Sequence, residues 1–462
     1  MDGDGPPRAA PSTGTTVGVL IAMAVVLLVA GLGIARVRNA QDTLRKAIAS
    51  VTTTTPATAP STPATPPQGS TLSPEQQKAV DDVKAQVSAI RGLAWKADLP
   101  IRVVSRAELA RRVKELNAQD EAKHRDEIAA DASVLKLLQL IPRDLDYTKA
   151  VDDLLAGGVL GFYDDEAKEL FVGGEGTGVP DPATRSVLAH ELTHALTDQQ
   201  FDFASKSKAL DDAHKSEESF AFTALIEGDA ELVRTMWEAQ HLSASERAQA
   251  AAGSSDSGGA YEKAPPYLLN SLQLPYVQGL DFVRARYRAG GFAAVDDAYK
   301  NPPTSTEQIL HPEAYPAQGW TAPPLPDLGA ATGCGTVDTG TLGEFDMGEV
   351  LAEQVKDAEA ATAAAGWNGD AYGVVRCGTA IGMADRWKTD TPADAADLVT
   401  SLDKWARGWS GGNKAPDADG RFTGPKGSGR VVRSASGVVD LVLADDLATA
   451  DRLVRALPAP AA

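Results

Sequence analysis

The segment "VLAHELTHALTDQQFDF", Val187 to Phe203, restricts the fold more than any other part of this 462-residue chain. On an α-helix, His190 and His194 lie one turn apart on the same face, so both imidazoles can reach one tetrahedral ion. Glu191 is rotated about a quarter turn away and can hold and deprotonate a water that the metal activates. The alternative is an ordinary amphipathic helix with two surface histidines. A third protein ligand elsewhere in the chain distinguishes the two.

Glu227 in "ALIEGDAELV" is the predicted third ligand, because it follows three apolar residues in a strongly helical segment. A carboxylate there would be costly to bury without a partner. Glu231, one turn later, is predicted to accept a hydrogen bond from a metal-bound histidine. Asp198 shares the face of His190 but lies about 12 Å along a straight helix. His214 is the alternative ligand, although its segment is charged and loop-like.

The same segment carries a packing prediction. Gly228 and Ala230 are small enough to let two helices approach closely, and Asp229 is expected to face solvent. The segment between the two motifs, "FDFASKSKALDDAHKSEE", is polar and charged enough to predict a loop.

An apolar run from Val17 to Ala35 is long enough to span a bilayer. We predict a retained single-pass transmembrane helix, since a signal peptide usually has a shorter apolar region and a more basic start. A short polar tail, residues 1–16, precedes it, and a juxtamembrane segment with a Thr/Pro-rich stalk, residues 36–73, follows it.

Basic residues directly after the run favour a cytoplasmic domain. The stalk, the acidity of the domain and the even cysteine count favour the other side, so we predict an extracytoplasmic domain at the cell membrane. Cys334 and Cys377 are the only cysteines and suit one disulfide, with two free buried thiols as the alternative. The formal net charge of −19 and the lack of a basic stripe argue against nucleic-acid binding.

The class predicted for the folded part is helix-rich α+β. A strand at "LPIRVVS" and a hairpin formed by "VLGFY" and "ELFV" place a small sheet before the motif helix. We predict one domain over residues 74–425 and a strand–strand–helix extension over residues 426–462.

HELTH with a glutamate on a downstream helix resembles the gluzincin metallopeptidases, the thermolysin-like clan. The chain is more closely similar to bacterial membrane-anchored or secreted proteins regarded as zinc peptidases of undefined substrate. The matching pieces, from Leu154 to Val375, include "VLGFYDDEAKELFV", "HELTHALTDQQFDF", "ALIEGDAELV" and "PPTSTEQILHPEAY". The resemblance implies a zincin-like core, a Zn²⁺ cofactor, and a sheet edge that binds an extended peptide.

The resemblance also implies a His or Tyr that stabilises the oxyanion at a distance from the metal. His311 in "STEQILHPEAY" is the leading candidate; its alternative role is a hydrogen bond within a rigid loop. Tyr315, Tyr276 and Tyr163 are weaker candidates. Asp370 in "GWNGDAY" is most simply a turn residue.

Together these features predict a membrane-tethered zinc peptidase in which His190, His194 and Glu227 hold the metal and Glu191 is the general base. Its partners would be a peptide or protein substrate and the membrane. The alternative is a non-catalytic cell-envelope interaction module with a structural or vestigial zinc site. The intact Glu191 favours the enzyme, because a structural site has no use for it.

Overall fold

The computed structural model describes residues 72–156, 160–173, 178–253, 263–317, 319–412, 414–433 and 437–458. The predicted transmembrane helix, the polar tail and nearly all of the stalk lie outside these residues. Within them, no helix combines the length and the apolar character needed to cross a membrane.

The described chain is a mixture of helices and mostly antiparallel strands, in agreement with the predicted α+β class. The helices are α1 (Pro74–Arg91), α2 (Arg106–Lys123), α3 (Arg125–Leu138), α4 (Tyr147–Ala156), α5 (Pro182–Phe201), α6 (Phe203–Asp212), α7 (Ser216–His241), α8 (Ala244–Gly253), α9 (Pro266–Lys300), α10 (Thr306–Leu310), α11 (Leu328–Thr332), α12 (Gly343–Ala352), α13 (Asp357–Ala364), α14 (Pro392–Trp409) and α15 (Leu447–Ala456). The strands are β1 (Ile101–Val104), β2 (Gly161–Asp164), β3 (Glu169–Gly173), β4 (Gly335–Gly340), β5 (Trp367–Cys377), β6 (Ala380–Thr389), β7 (Arg421–Gly424), β8 (Gly427–Arg433) and β9 (Val438–Ala444).

A small sheet precedes the motif helix, in the order β1-β3-β2. β2 and β3 form the predicted antiparallel hairpin, and β1 pairs with β3 in parallel. β2 is therefore an edge strand, and it lies against α5 because Gly161 has no side chain: a Cβ there would lie 2.9 Å from Val187 Cγ1.

The motif helix α5 packs against α7, and α7 packs against the long helix α9. Their backbones nearly touch, since a Cβ on Gly228 would lie 2.2 Å from the carbonyl oxygen of Gly279. This confirms the packing predicted for Gly228. The prediction that Asp229 faces solvent is wrong: its carboxylate is buried and accepts a hydrogen bond from Arg91 Nε at 3.0 Å. Helix α1 covers that side of α7, which local sequence does not reveal.

The segment predicted as a loop after α5 contains helix α6. Asp202 adopts a left-handed backbone conformation with φ 52°, which ends α5 and lets α6 begin at the next residue. The charges that suggested a loop support a solvated helix instead, since Lys208 Nζ donates to Asp212 one turn later at 2.7 Å.

The second half of the chain forms a six-stranded sheet in the order β4-β5-β6-β9-β8-β7. The boundary predicted at residue 426 differs from this arrangement, because it falls in the turn where Gly424 pairs with Gly427. β9 pairs with β6 over residues 438–444, so the strands of the predicted extension complete a sheet that begins at residue 335. A disulfide joins Cys334 to Cys377 across the β4–β5 pair.

Candidate metal centre

Three side-chain atoms from α5 and α7 converge on one point. His190 Nε2 lies 2.9 Å from His194 Nε2 and 3.1 Å from Glu227 Oε2. His194 Nε2 lies 3.3 Å from the same carboxylate oxygen. All three side chains are buried. In the part of the chain that the structure describes, no other group of three His, Cys, Asp or Glu side chains converges closely enough to hold a metal.

The donor set fits a tetrahedral zinc ion. Bonds of about 2.0–2.1 Å in a tetrahedron place neighbouring ligand atoms about 3.3–3.4 Å apart, near the spacings found between His190, His194 and Glu227. The two imidazole nitrogens face each other at 2.9 Å, so only one of them can carry a proton towards the other. A cation bound between them would accept the lone pairs of both nitrogens.

Helix α5 is largely buried, and two of its threonine hydroxyl groups form hydrogen bonds with backbone carbonyl oxygens of the same helix. The hydroxyl groups of Thr193 and Thr197 donate to the carbonyl oxygens of Ala189 and Thr193, at 2.8 and 2.9 Å. The helix begins at Asp181, whose carboxylate accepts from Thr184 N, with Pro182 in the first turn. The two histidines therefore project from a helix whose other positions are already accommodated.

The buried side chains of the site compensate one another's charges, which favours the ionised form of Glu227 and the protonated form of His190. Burial by itself would raise the pKa of Glu227, but the two histidines outweigh it and lower that pKa to about 2. Burial also opposes protonation of His190, yet the nearby carboxylates of Glu227 and Glu231 raise its pKa to about 10. Without a metal the site thus holds a carboxylate and a proton, and binding a metal would displace that proton.

Glu191 stands beside the ligands and not among them. Its Oε2 accepts a hydrogen bond from the backbone N–H of Tyr163 in the edge strand β2, at 2.8 Å. Its Oε1 is buried and has no hydrogen-bond partner among the described residues. Burial raises the pKa of Glu191, against the opposing charges of His190 and His194. One carboxylate oxygen is thus held in place and the other can take a proton.

Glu231 lies behind His190, but His190 Nδ1 forms no hydrogen bond with a described residue, so the predicted hydrogen bond to Glu231 stays a prediction. Its Oε1 is 3.5 Å from His190 Nδ1, on the side away from the ligand nitrogen. Arg234 contacts the same carboxylate through two nitrogens. The sequence analysis missed Arg234; the signal available was a charged residue three positions after Glu231 in an apolar stretch.

Asp198 and His214 are not part of the cluster. Asp198 accepts from Tyr163 Oη at 2.8 Å and from Lys168 Nζ at 2.5 Å, and so fastens the β2–β3 hairpin to α5. His214 is exposed in the turn after α6, with φ 53°.

The structure brings Tyr276, and not the leading candidate His311, next to the ligands. The Tyr276 ring lies 6.2 Å from that of His190. Burial raises the pKa of Tyr276, and so does the nearby Glu227 carboxylate. His311 Nε2 instead contacts Glu344 Oε1 at 2.8 Å, and no described contact joins it to a ligand.

Two other candidates from the sequence have contacts of their own. Tyr315 Oη donates to the carbonyl oxygen of Asn301 at 2.6 Å. Asp370 is a buried acceptor for the backbone N–H groups of Leu342 and Gly343, at 2.7 and 2.9 Å. It thereby fixes the loop that leads into α12.

Comparison with known proteins gives limited matches. A family model described as a domain of unknown function, DUF8575, is similar to residues 331–454, the part that contains the six-stranded sheet. No curated protein matches the chain. A crystal structure from Chloroflexus aurantiacus, described as a "putative hydrolase with a novel fold", is similar at 20% identity and a TM-score of 0.36, over 52% of this chain and 87% of that one. Likeness at this level carries no inference about activity.

Proposed function

We propose that this chain is a zinc-dependent peptidase of the gluzincin type. The observation that carries the proposal is the convergence of His190, His194 and Glu227, with Glu191 held beside them by an edge strand. A zinc ion at this point would supply Lewis acidity towards a water molecule and a peptide carbonyl oxygen.

Glu191 would move the proton. Its unpartnered Oε1 accepts a proton from the attacking water, while the Tyr163 N–H keeps Oε2 and the carboxylate plane fixed. The same oxygen then returns the proton to the leaving amine, so the carboxylate is regenerated. Burial favours this exchange, because it raises the pKa of Glu191 above that of an exposed glutamate.

A peptide fits the edge of β2. Tyr163 N bonds to Glu191 and not to β3, so it lies on the outer side of the strand. Backbone groups alternate along an antiparallel strand, so those of Gly161, two residues earlier, also point outwards. An extended peptide added there would pass directly beside the metal centre.

Tyr276 is the group that we assign to the developing oxyanion, in place of His311. Its side chain is buried, its ring packs near that of His190, and the Glu227 carboxylate is close enough to raise its pKa. A neutral phenol in this position can donate to a substrate oxygen without adding charge to the site.

We also propose that the enzyme is anchored in the cell membrane by residues 17–35, with its catalytic domain outside the cytoplasm. The apolar run and the Thr/Pro-rich stalk support the anchor. The Cys334–Cys377 disulfide supports an oxidising compartment.

The test is Glu191→Gln in the full chain, assayed for bound zinc and for cleavage of a mixed peptide library. We expect unchanged zinc content and a turnover lower by about 10³-fold or more, since the general base is lost while the ligands remain. Glu166→Gln, an exposed glutamate in the β2–β3 turn, is the matched control and should be silent.

Glu227→Ala should lose zinc. Cleavage that persists in Glu191→Gln would contradict the mechanism. Zinc binding by the unaltered chain with no cleavage of any peptide would instead favour the non-catalytic envelope module.

A further inference from the structure

The carboxylate of Glu231 is held more firmly by Arg234 than by the histidine it faces. Arg234 Nη2 donates to Glu231 Oε2 at 2.6 Å, and Nε lies 3.1 Å from Oε1. The distance from His190 Nδ1 to Glu231 Oε1 is 3.5 Å, longer than a good N–H···O hydrogen bond. The shorter, charge-assisted contacts therefore decide where the carboxylate lies.

The other end of the guanidinium connects the two helices that carry the ligands. Arg234 Nη1 donates to Glu238 Oε1 at 2.6 Å and to Ser186 Oγ at 3.3 Å. Ser186 lies on α5, one turn before His190, and its hydroxyl group also donates to Glu238. Arg234 thus joins α7 to the turn of α5 that positions His190.

The guanidinium of Arg234 is buried, so it needs its carboxylate partners. The Arg234 side chain is 6% exposed and Glu231 is 8% exposed, so each would be costly to leave unpaired. A planar guanidinium binds a carboxylate through two parallel donors and fixes its orientation, which a lysine cannot do.

We propose that Arg234 is a positioning residue of the metal centre, which holds Glu231 in the orientation that directs His190 Nε2 at the metal and so sets the metal affinity. This inference rests on the metal-binding part of the proposed function. It does not depend on which substrate is cleaved, or on cleavage at all.

The test compares Arg234→Gln with the unaltered full chain. Zinc affinity is measured by competition with a chelator, and Co²⁺ loaded in place of zinc reports the ligand geometry through its absorption spectrum. We expect zinc binding weaker by about 10-fold or more, the usual effect of losing an outer partner of a ligand, together with an altered Co²⁺ spectrum. Arg234→Lys keeps the positive charge but lacks the two parallel N–H donors of a guanidinium. We therefore expect the Co²⁺ spectrum of this variant to differ from that of the unaltered chain as well.

Arg185→Gln is the matched control, because Arg185 lies on α5 next to Ser186 but pairs with Glu246, at 2.7 Å, and not with Glu231. It should leave affinity and spectrum unchanged. Wild-type affinity and spectrum in Arg234→Gln, or full recovery of both in Arg234→Lys, would overturn the positioning role.

Should Arg234→Gln fail to fold, Glu238→Ala removes the carboxylate that accepts from both Arg234 Nη1 and Ser186 Oγ. An altered Co²⁺ spectrum is expected, and an unaltered one overturns the proposal. If the unaltered chain binds no metal, the proposed function fails with the inference; if it binds metal and the variants match it, only the inference fails.

Discussion

The helical part and the six-stranded sheet both bury carboxylates, but they compensate them differently. In the helical part, four buried acids near the metal centre lie beside a cationic or imidazole group, whereas Glu191 accepts a hydrogen bond from the backbone N–H of Tyr163. The pairs are Glu227 with His190 and His194, Glu231 with Arg234, Asp229 with Arg91, and Asp198 with Lys168. Such pairing favours the ionised form, and it lowers the pKa of Glu227 and of Glu231 to about 2 despite burial.

In the sheet, buried acids rely on neutral donors or on none. Asp338 accepts from Tyr372 Oη at 2.7 Å and from Thr339 N at 2.8 Å. Neither carboxylate oxygen of Asp385 has a hydrogen-bond partner among the described residues. Burial raises the pKa of Asp338 to about 6 and that of Asp385 well above its usual value.

The difference separates two uses of a buried acid. A metal ligand and its supporting groups must stay ionised, so cations accompany them. In the sheet, a buried aspartate with a raised pKa destabilises the fold at neutral pH, where it is ionised. Each part has an exception: Asp440 lies 3.3 Å from Arg386, and Glu217 accepts from the backbone and hydroxyl groups of Thr306.

Removing a cation from the helical part should have the largest effect on stability. Arg91 is fully buried and contacts Asp229 at 3.0 Å and Asp296 at 2.6 Å. Arg91→Met leaves both carboxylates without their partner, so we expect a loss of about 3–5 kcal/mol in the free energy of unfolding. Urea unfolding followed by tryptophan fluorescence measures it.

Arg102→Met is the control for Arg91. Its pair with Glu169 is 44% and 25% exposed, and it should cost no more than about 1 kcal/mol. Equal losses in the two variants would mean that burial does not set the value of these pairs.

The convergence of His190, His194 and Glu227 was predictable because the information is local. Helical spacing places His190 and His194 on one face, and an acid inside an apolar helix singles out Glu227. The β2–β3 hairpin was predictable for the same reason, since two β-type runs flank a polar turn.

Supporting contacts such as that between Arg91 and Asp229 were not predictable, because they join distant segments. Arg91 is 138 residues from Asp229, and nothing near either residue indicates the other. The pairing of β9 with β6 is not visible in the sequence for the same reason, since a helix and a hairpin separate the two strands along the chain. His311 was preferred over Tyr276 because a polar loop suggests a site, whereas a tyrosine in an apolar helix suggests core.

Asp338 in the sheet should respond to pH in the opposite sense to Glu227 and Glu231. The pKa of Asp338 is about 6 when folded and about 3.9 when unfolded, so the unfolded chain releases this proton first. Its contribution therefore destabilises the fold as pH rises from about 4 to about 6 and is constant above. Glu227 and Glu231, whose pKa values are lowered, lose their contribution as pH falls below about 4.5.

Asp338→Asn removes the loss of stability that accompanies ionisation of Asp338. We expect the variant, relative to wild type, to gain on the order of 2–3 kcal/mol between pH 4 and pH 7.5, as measured by urea unfolding at both values. Asp212→Asn, at an exposed pair with Lys208, should show no such change. A gain that is the same at both pH values would place the effect in packing and not in ionisation.

The smallest expected effect concerns the junction of β2 with α5, where Asp198 has several donors. Tyr163→Phe removes the hydroxyl group that donates to Asp198 at 2.8 Å and leaves the backbone N–H that holds Glu191. Lys168 and Ala204 N still serve the carboxylate, so the loss should be about 1 kcal/mol, with zinc affinity and turnover within about threefold of wild type.

Chemical unfolding, chelator competition and peptide cleavage measure these three quantities. A fall in turnover of about 100-fold or more at unchanged stability and zinc content would give the Tyr163 hydroxyl group a chemical role. Tyr276→Phe supplies the contrast in the same assay, because its hydroxyl group belongs to the metal centre and its loss should lower turnover more than that of Tyr163.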